Sequence, residues 1–314
     1  FSSNASLTEV TIGNGVTSIG SSAFRYAPQL AKVIIGNAVT SIGDHAFREA
    51  PIVELTLGNA VTSIGSHAFY DTEITNLVIP DSVTSIGSET FRYTPITNLV
   101  IGNSVTSIGS YNFGLNSHNC IELQSVEIAM QNISGSLFYN CSNLETLDIK
   151  DTVITIGSSA FYNNKLAKVE IPDSVTRIYS DAFKSNALLT EVVIGGAVET
   201  INHGAFESSP IEKLIVGDAV TTIESNAFYG SNLKELTIGN SLSSLSSNNF
   251  SCSNTMRNLE TLEIGMPSIN SSLFSGCSRL SEVTLRDTVT TIGNSAFYNT
   301  DFETIVIPNT VTSI

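Results

Sequence analysis

Three groups of residues in this 314-residue chain have side chains that could do chemistry at a regular spacing. His45 and His67 stand 22 residues apart, with Glu89 another 22 on and Asp44 beside the first histidine. Two imidazoles and a carboxylate are a donor set for a transition metal, although a closed site also needs a full tetrahedral shell and outer partners that hold the imidazoles. Glu127, Asp148 and Glu170 follow one another at steps of 21 and 22. Three carboxylates in a row suit a calcium ion, a hard cation that collects oxygen ligands, or a cationic partner surface. The spacing matches no calcium-loop motif. The cysteines fall into two pairs, Cys120 with Cys141 and Cys252 with Cys277. Each pair reads either as a disulfide or as buried free thiols, and there is no C-x-x-C motif. Nothing resembles G-x-S-x-G, H-E-x-x-H, a P-loop or a dinucleotide fingerprint. The expectation is a protein that is not an enzyme and takes no cofactor and no metal, with His45, His67 and Glu89 as the weak candidates for one.

The spacing of those groups belongs to the whole chain. Fourteen of the 15 phenylalanines stand at 1, 24, 47, 69, 91, 113, 138, 161, 183, 206, 228, 250, 274 and 297, at steps of 22 to 25. Each step repeats one plan: L-x-x-V-x-I, a turn such as Ile79-Pro80-Asp81, then V-T-S-I-G and S-x-A-F. The first segment is short, β-branched and bounded by Gly, Pro and Asn, so it reads as a strand. V-T-S-I reads as a second, shorter extended piece and S-x-A-F as one helical turn. A unit of 22 residues cannot bury its own Leu, Val, Ile and Phe, whereas stacked units bury them in continuous columns. A prior of about 150 residues per domain would give two domains. The regularity instead predicts one α/β repeat solenoid, mainly β and right-handed, over 1–314, with a parallel sheet of about fourteen strands and short helical turns. Segments 1–24, 138–161 and 274–297 match one another at offsets of 137 and 136. Six units therefore make a super-repeat, with enlarged units near 113–138 and 250–274. No polar capping unit is visible at either end, which is expected of a piece of a longer array.

Alternation along a strand turns its third and fifth positions outward. The third position carries Lys168, Glu191, Lys213 and Glu235, and opposite charges on neighbouring strands contribute a few tenths to about 1 kcal/mol each. The fifth carries Val78, Val100, Glu127, Asp148 and Glu170. Like charges directly opposite are destabilising, so the acidic row needs compensation, for which Lys150 and Lys168 are close. Asn76, Val78, Asn98 and Val100 form an uncharged area, and together with Glu127, Asp148, Lys168 and Glu170 they are the candidate binding residues. Thr17, Thr40, Thr62, Thr84 and Thr106 stack in five consecutive units and could order water as an ice-binding array, although adjacent Thr and Ser side chains diverge. The formal net charge of −15 argues against nucleic-acid binding, which needs basic residues to displace counterions. No apolar run approaches the length of a membrane span.

The string at 79–91, Ile-Pro-Asp-Ser-Val-Thr-Ser-Ile-Gly-Ser-Glu-Thr-Phe, and its copies along the chain resemble the BspA-type leucine-rich repeat. The chain departs from ordinary leucine-rich repeats in lacking the usual Asn ladder after the strand, and it keeps the Cys after Phe only at Cys141 and Cys277. The resemblance implies a surface-exposed or secreted adhesion module of oral and gut bacteria or mucosal protozoa. Its partners would be protein or glycoprotein ligands on host matrix or cell surfaces, with no nucleic acid and no membrane insertion. The alternatives are a structural spacer that presents another domain, and the ice-binding array.

Overall fold

The computed structural model describes residues 1–113 and 118–314. The chain divides into two compact units, Phe1–Val153 and Ile154–Ile314. In the first unit the strands are β1 (Glu9–Ile12), β2 (Ser18–Ile19), β3 (Lys32–Ile35), β4 (Ser41–Ile42), β5 (Glu54–Thr56), β6 (Ser63–Ile64), β7 (Asn76–Ile79), β8 (Ser85–Ile86), β9 (Asn98–Ile101), β10 (Ser107–Ile108), β11 (Ser125–Ile128), β12 (Asn132–Ile133) and β13 (Thr146–Ile149). In the second they are β14 (Thr155–Ile156), β15 (Lys168–Ile171), β16 (Arg177–Ile178), β17 (Glu191–Ile194), β18 (Thr200–Ile201), β19 (Lys213–Val216), β20 (Thr222–Ile223), β21 (Glu235–Ile238), β22 (Ser244–Leu245), β23 (Thr261–Ile264), β24 (Ser268–Ile269), β25 (Glu282–Leu285) and β26 (Thr291–Ile292). Odd-numbered strands are the L-x-x-V-x-I segments and even-numbered ones the V-T-S-I segments. All pairings between successive coils are parallel and in register, as in Asn76↔Asn98 and Val78↔Val100.

The solenoid class stands, with two corrections. Thirteen long strands form among the described residues, not about fourteen. The last repeat, 304–307, carries the pattern but forms no long strand; its coil joins through the isolated Thr291–Ser313 bridge and bonds such as Thr312 N to Thr290 O (2.8 Å). The helical turn expected at S-x-A-F is also absent. The residue two before each ladder Phe from Phe24 onward adopts positive φ, and so does the residue two after most of them, as at His45 (56°) and Glu49 (57°) around Phe47. A left-handed residue ends a right-handed helix and costs on the order of 1 kcal/mol or more. It persists here because it turns alternate amides toward the next coil. His45 N donates to Ser66 O (2.9 Å), Phe47 N to Ala68 O (2.8 Å) and Glu49 N to Tyr70 O (2.8 Å). The intervening amides of Ala46 and Arg48 close local turns on Gly43 O and His45 O, both at 3.2 Å.

The phenylalanines stack face to face from Phe1 to Phe138 in the first unit, and from Phe161 to Phe250 and again from Phe274 to Phe297 in the second. Ring centroids are 5.1 Å apart for Phe24–Phe47 and for Phe183–Phe206, and 5.2 Å for Phe47–Phe69 and Phe161–Phe183. Three residues after several of the phenylalanines runs a buried polar column that the repeat pattern alone does not announce: Thr72, Thr94, Asn164, Asn186 and Ser209, with Ala27, Ala50 and the half-cystines Cys141 and Cys277 in the same place elsewhere. Asn186 Nδ2 donates to Phe161 O (3.0 Å) and Phe183 O (2.7 Å), and Thr94 Oγ1 to Phe69 O (3.0 Å). The left-handed turns leave these carbonyls facing inward, and buried acceptors need partners. A side-chain ladder also follows several of the long strands, made by turn Asn and Asp residues. It lies in the turn, where Asn14 Oδ1 accepts from Asn37 N (2.9 Å), Asn37 Oδ1 from Asn59 N (3.1 Å) and Asp81 Oδ1 from Asn103 N (2.9 Å). Where glycine follows V-T-S-I in the first unit the coils approach closely, and a Cβ on Gly87 would lie 2.4 Å from Ser66 N; the second unit carries Tyr179, Asn202 and Glu224 at this position.

Both cysteine pairs are disulfides, Cys120–Cys141 with Cα atoms 4.3 Å apart and Cys252–Cys277 at 4.9 Å, and none is free among the described residues. Each ties an enlarged unit to the coil that follows.

Three stability outcomes are expected in urea denaturation. Phe183→Ala, deep in the ring stack, costs about 3–5 kcal/mol, while Phe1→Ala, at a position 77% exposed, changes little. Asn186→Ala removes the donors to Phe161 O and Phe183 O, the second of which keeps its bond from Ser209 Oγ at 3.1 Å, at about 1–3 kcal/mol, and Asn186→Ser recovers part of the loss, since Ser209 fills the same column. Reducing the disulfides, which close loops of 21 and 25 residues, lowers stability by about 3 kcal/mol each.

Candidate functional site

The long strands present their third and fifth positions on one outward face, because Val, Leu and Ile at the alternate positions point into the core. In the first unit the candidate residues of β7 and β9 come together there. Asn98 Nδ2 donates to Asn76 Oδ1 (2.7 Å), and Ser125 Oγ donates to Asn98 Oδ1 (2.6 Å). The amides thus form a short polar zipper across three strands. Beside it Val78 is 60% exposed, and Val100 is half-buried at the next strand.

The acidic row resolves differently from three stacked carboxylates. Glu127 and Asp148 are opposite each other on β11 and β13, and Lys150, one residue past β13, contacts both, at 3.2 Å and 2.6 Å. Hydrogen bonds from its ammonium to Asp148 and then Glu127 raise the Lys150 pKa. Glu170 belongs to the second unit, where Lys168 holds it at 2.7 Å and reaches Glu191 at 3.2 Å. The Lys168 pKa is raised by those same two partners, Glu170 first. The pattern recurs 136 residues after Glu127 and Lys150. Arg286 Nε donates to Glu263 (2.7 Å), while its Nη1 reaches Asp218 (2.8 Å) and Asn240 (3.2 Å). In each case an acid in the strand after an enlarged loop is met by a base from the following coil. The sequence hinted at Lys150. It gave no sign that Arg286 reaches the turns of two earlier coils, at Asp218 and Asn240, because that reach depends on where stacking places them.

The histidine column lies on the turn side and is half-buried rather than on the open surface. His45 and His67 stack ring on ring at 4.8 Å, so their nitrogens do not converge on a common point. Burial, followed by the neighbouring His67, Arg48 and Arg25, lowers the His45 pKa. Glu89 accepts from Arg92 at 2.7 Å and lies 3.5 Å from His67 Nε2. Among the described residues no three His, Cys, Asp or Glu side chains form a group that could hold a metal.

The threonine column is exposed, but its hydroxyls turn inward. Thr40, Thr62, Thr84 and Thr106 each donate from Oγ1 to the carbonyl of the preceding threonine, at 3.0–3.1 Å. Donors spent on the backbone in this way are not offered to a water lattice. Among the described residues no helix is long and apolar enough to cross a membrane.

Comparison with solved structures places this geometry among bacterial leucine-rich repeat proteins. A leucine-rich repeat protein from Bacteroides ovatus shares the fold, with a TM-score of 0.50 and 21% identity over 98% of this chain and 82% of its own. One from Eubacterium ventriosum is 26% identical over 97% and 80%, with a TM-score of 0.39. A leucine rich cell surface protein from Faecalibacterium prausnitzii is 22% identical over 86% and 83%, with a TM-score of 0.33. No curated protein matches the chain. The repeat motif is matched over residues 1–119, 116–231 and 199–314, and with the stacked coils and Phe ladder it establishes that the chain belongs to the BspA type leucine-rich repeat family.

Proposed function

We propose that the protein is an extracellular or cell-surface binding module, without catalytic activity, that attaches to protein or glycoprotein partners through the outward face of β7–β13. The observation that carries this reading is Val78. It is a branched apolar side chain, 60% exposed, on a rigid parallel sheet beside the Asn76–Asn98–Ser125 zipper. Exposed apolar area rimmed by polar groups is a recurrent mark of docking surfaces. Lys150 bridges the neighbouring acids Glu127 and Asp148 and offsets one of their two charges, so the three form the polar rim of such a surface. Outward positions vary from strand to strand while the inward columns repeat, which fits recognition better than a passive spacer. The two disulfides suit an oxidising compartment.

The test is surface binding of the chain to fibronectin, fibrinogen and mucin at low and high salt. A Val78→Glu, Val100→Glu variant is expected to lose at least about tenfold in affinity, equivalent to about 1.4 kcal/mol, with its melting temperature unchanged. A Glu127→Lys, Asp148→Lys, Glu170→Lys variant is expected to lose less, and salt to matter little. Absence of binding at micromolar concentration would overturn adhesion to this panel and leave the spacer reading in its place.

A further inference from the structure

The short-strand ladder of the first unit stops at one seam. β10 pairs back to β8 through Ser107↔Ser85 and Ile108↔Ile86, but it is the last strand of its sheet. In the preceding coils every such edge is filled. Gly65 N donates to Ile42 O, Gly87 N to Ile64 O and Gly109 N to Ile86 O, each at 2.8 Å, while Thr106 N donates to Thr84 O at 2.9 Å. Among the described residues, Thr106 O and Ile108 O receive no corresponding bond from the coil that carries β12. The two coils stay joined on the opposite face, where β9 and β11 pair in full register from Asn98↔Ser125 to Ile101↔Ile128. The seam is therefore a wedge, closed at the long strands and open at the short ones. The one Phe pair that crosses the seam, Phe113–Phe138, is also the widest in the first unit at 6.1 Å, against 5.1–5.8 Å between the preceding coils.

Two clefts lie along this wedge, one on each side of β10. One, of about 350 Å³, runs between Ile108–Phe113 and Ser134–Leu137. The other, of about 320 Å³, runs between Asn103–Thr106 and Gln131, Asn132 and Thr152. No lining residue carries a formal charge. An edge strand with open acceptors is a template for another chain. Added strands draw affinity from main-chain bonds and specificity from pockets that take alternate side chains.

We propose that this seam binds an extended, uncharged polypeptide segment laid parallel to β10, whose amides donate to Thr106 O and Ile108 O. The complement of that edge is already present in the molecule. The segment Ser82–Ser88, Ser-Val-Thr-Ser-Ile-Gly-Ser, contains β8, which pairs with β10 from the other side. The seam is a different surface from the outward face of β7–β13 and recognises a backbone rather than a patch.

The test uses the intact chain and a fluorescein-labelled synthetic peptide with the Ser82–Ser88 sequence, read by fluorescence anisotropy. Saturable binding is expected. The same peptide N-methylated at its threonine and glycine, the two donors to Thr106 O and Ile108 O, is expected to bind at least about tenfold more weakly. Ser134→Tyr should fill the cleft and weaken binding by a similar factor. The coil geometry accommodates it, since Tyr179 stands at the equivalent position, and an unchanged melting temperature verifies the fold. No saturable binding to the wild-type chain would overturn the proposal. So would equal binding of the N-methylated peptide, or binding that Ser134→Tyr leaves unaltered, which would place the peptide elsewhere on the array.

Discussion

The whole architecture depends on holding successive coils one strand spacing apart, about 4.8 Å. At that pitch each coil's amides meet the carbonyls of the coil before or after it, and the Phe rings meet face to face at little over 5 Å. The other features follow from this approach distance. At Gly87 the approach is close enough that a Cβ would collide with Ser66 N. The left-handed residues around each Phe are tolerated because they aim amides along the stack instead of around a helix. The buried Thr, Asn and Ser column exists because that backbone leaves carbonyls facing the core.

Charge serves the same requirement. Parallel stacking in register places like residues opposite like residues, which is harmless for Val and unfavourable for Glu. The chain answers by alternating signs where it can, as in Glu191↔Lys213↔Glu235. Where it cannot, a base from the following coil spans the acids. Lys150 does this for Glu127 and Asp148, and Arg286 for Glu263. These pairs sit in partly exposed positions, where a single ion pair contributes about 0–1 kcal/mol. They maintain register and offset part of the acidic charge on the outward face, while β7 and β9 carry apolar and amide groups there instead of charges.

The enlarged unit after Phe113 shows what happens when the pitch is relaxed on one side only. Its long strand, β11, keeps full register with its neighbour, and a disulfide ties its loop to the next coil, yet the short-strand ladder breaks at β10. A local insertion thus converts a closed solenoid surface into an open strand edge with clefts beside it. The repeat is uniform enough to fold, and its one departure in the first unit creates a site unlike any other in that unit.

The period of Phe, the alternation within L-x-x-V-x-I and the Gly-Asn and Pro-Asp turns were sufficient to determine a stacked parallel solenoid, its inward columns and its outward positions. Those features are local, and repetition multiplies the signal. The identities of Asn76, Val78, Asn98 and Val100 as neighbours also followed, since register is set by the repeat length. Tertiary structure decided what local pattern cannot encode. S-x-A-F became a left-handed double turn rather than a helical one because bonds to the next coil outweigh local propensity. His45 and His67 became a stacked pair instead of a chelate because parallel register puts ring over ring. The acids at 127 and 148 became partners of Lys150, and β10 kept an open edge, because both outcomes depend on the distance between coils, which no single repeat contains.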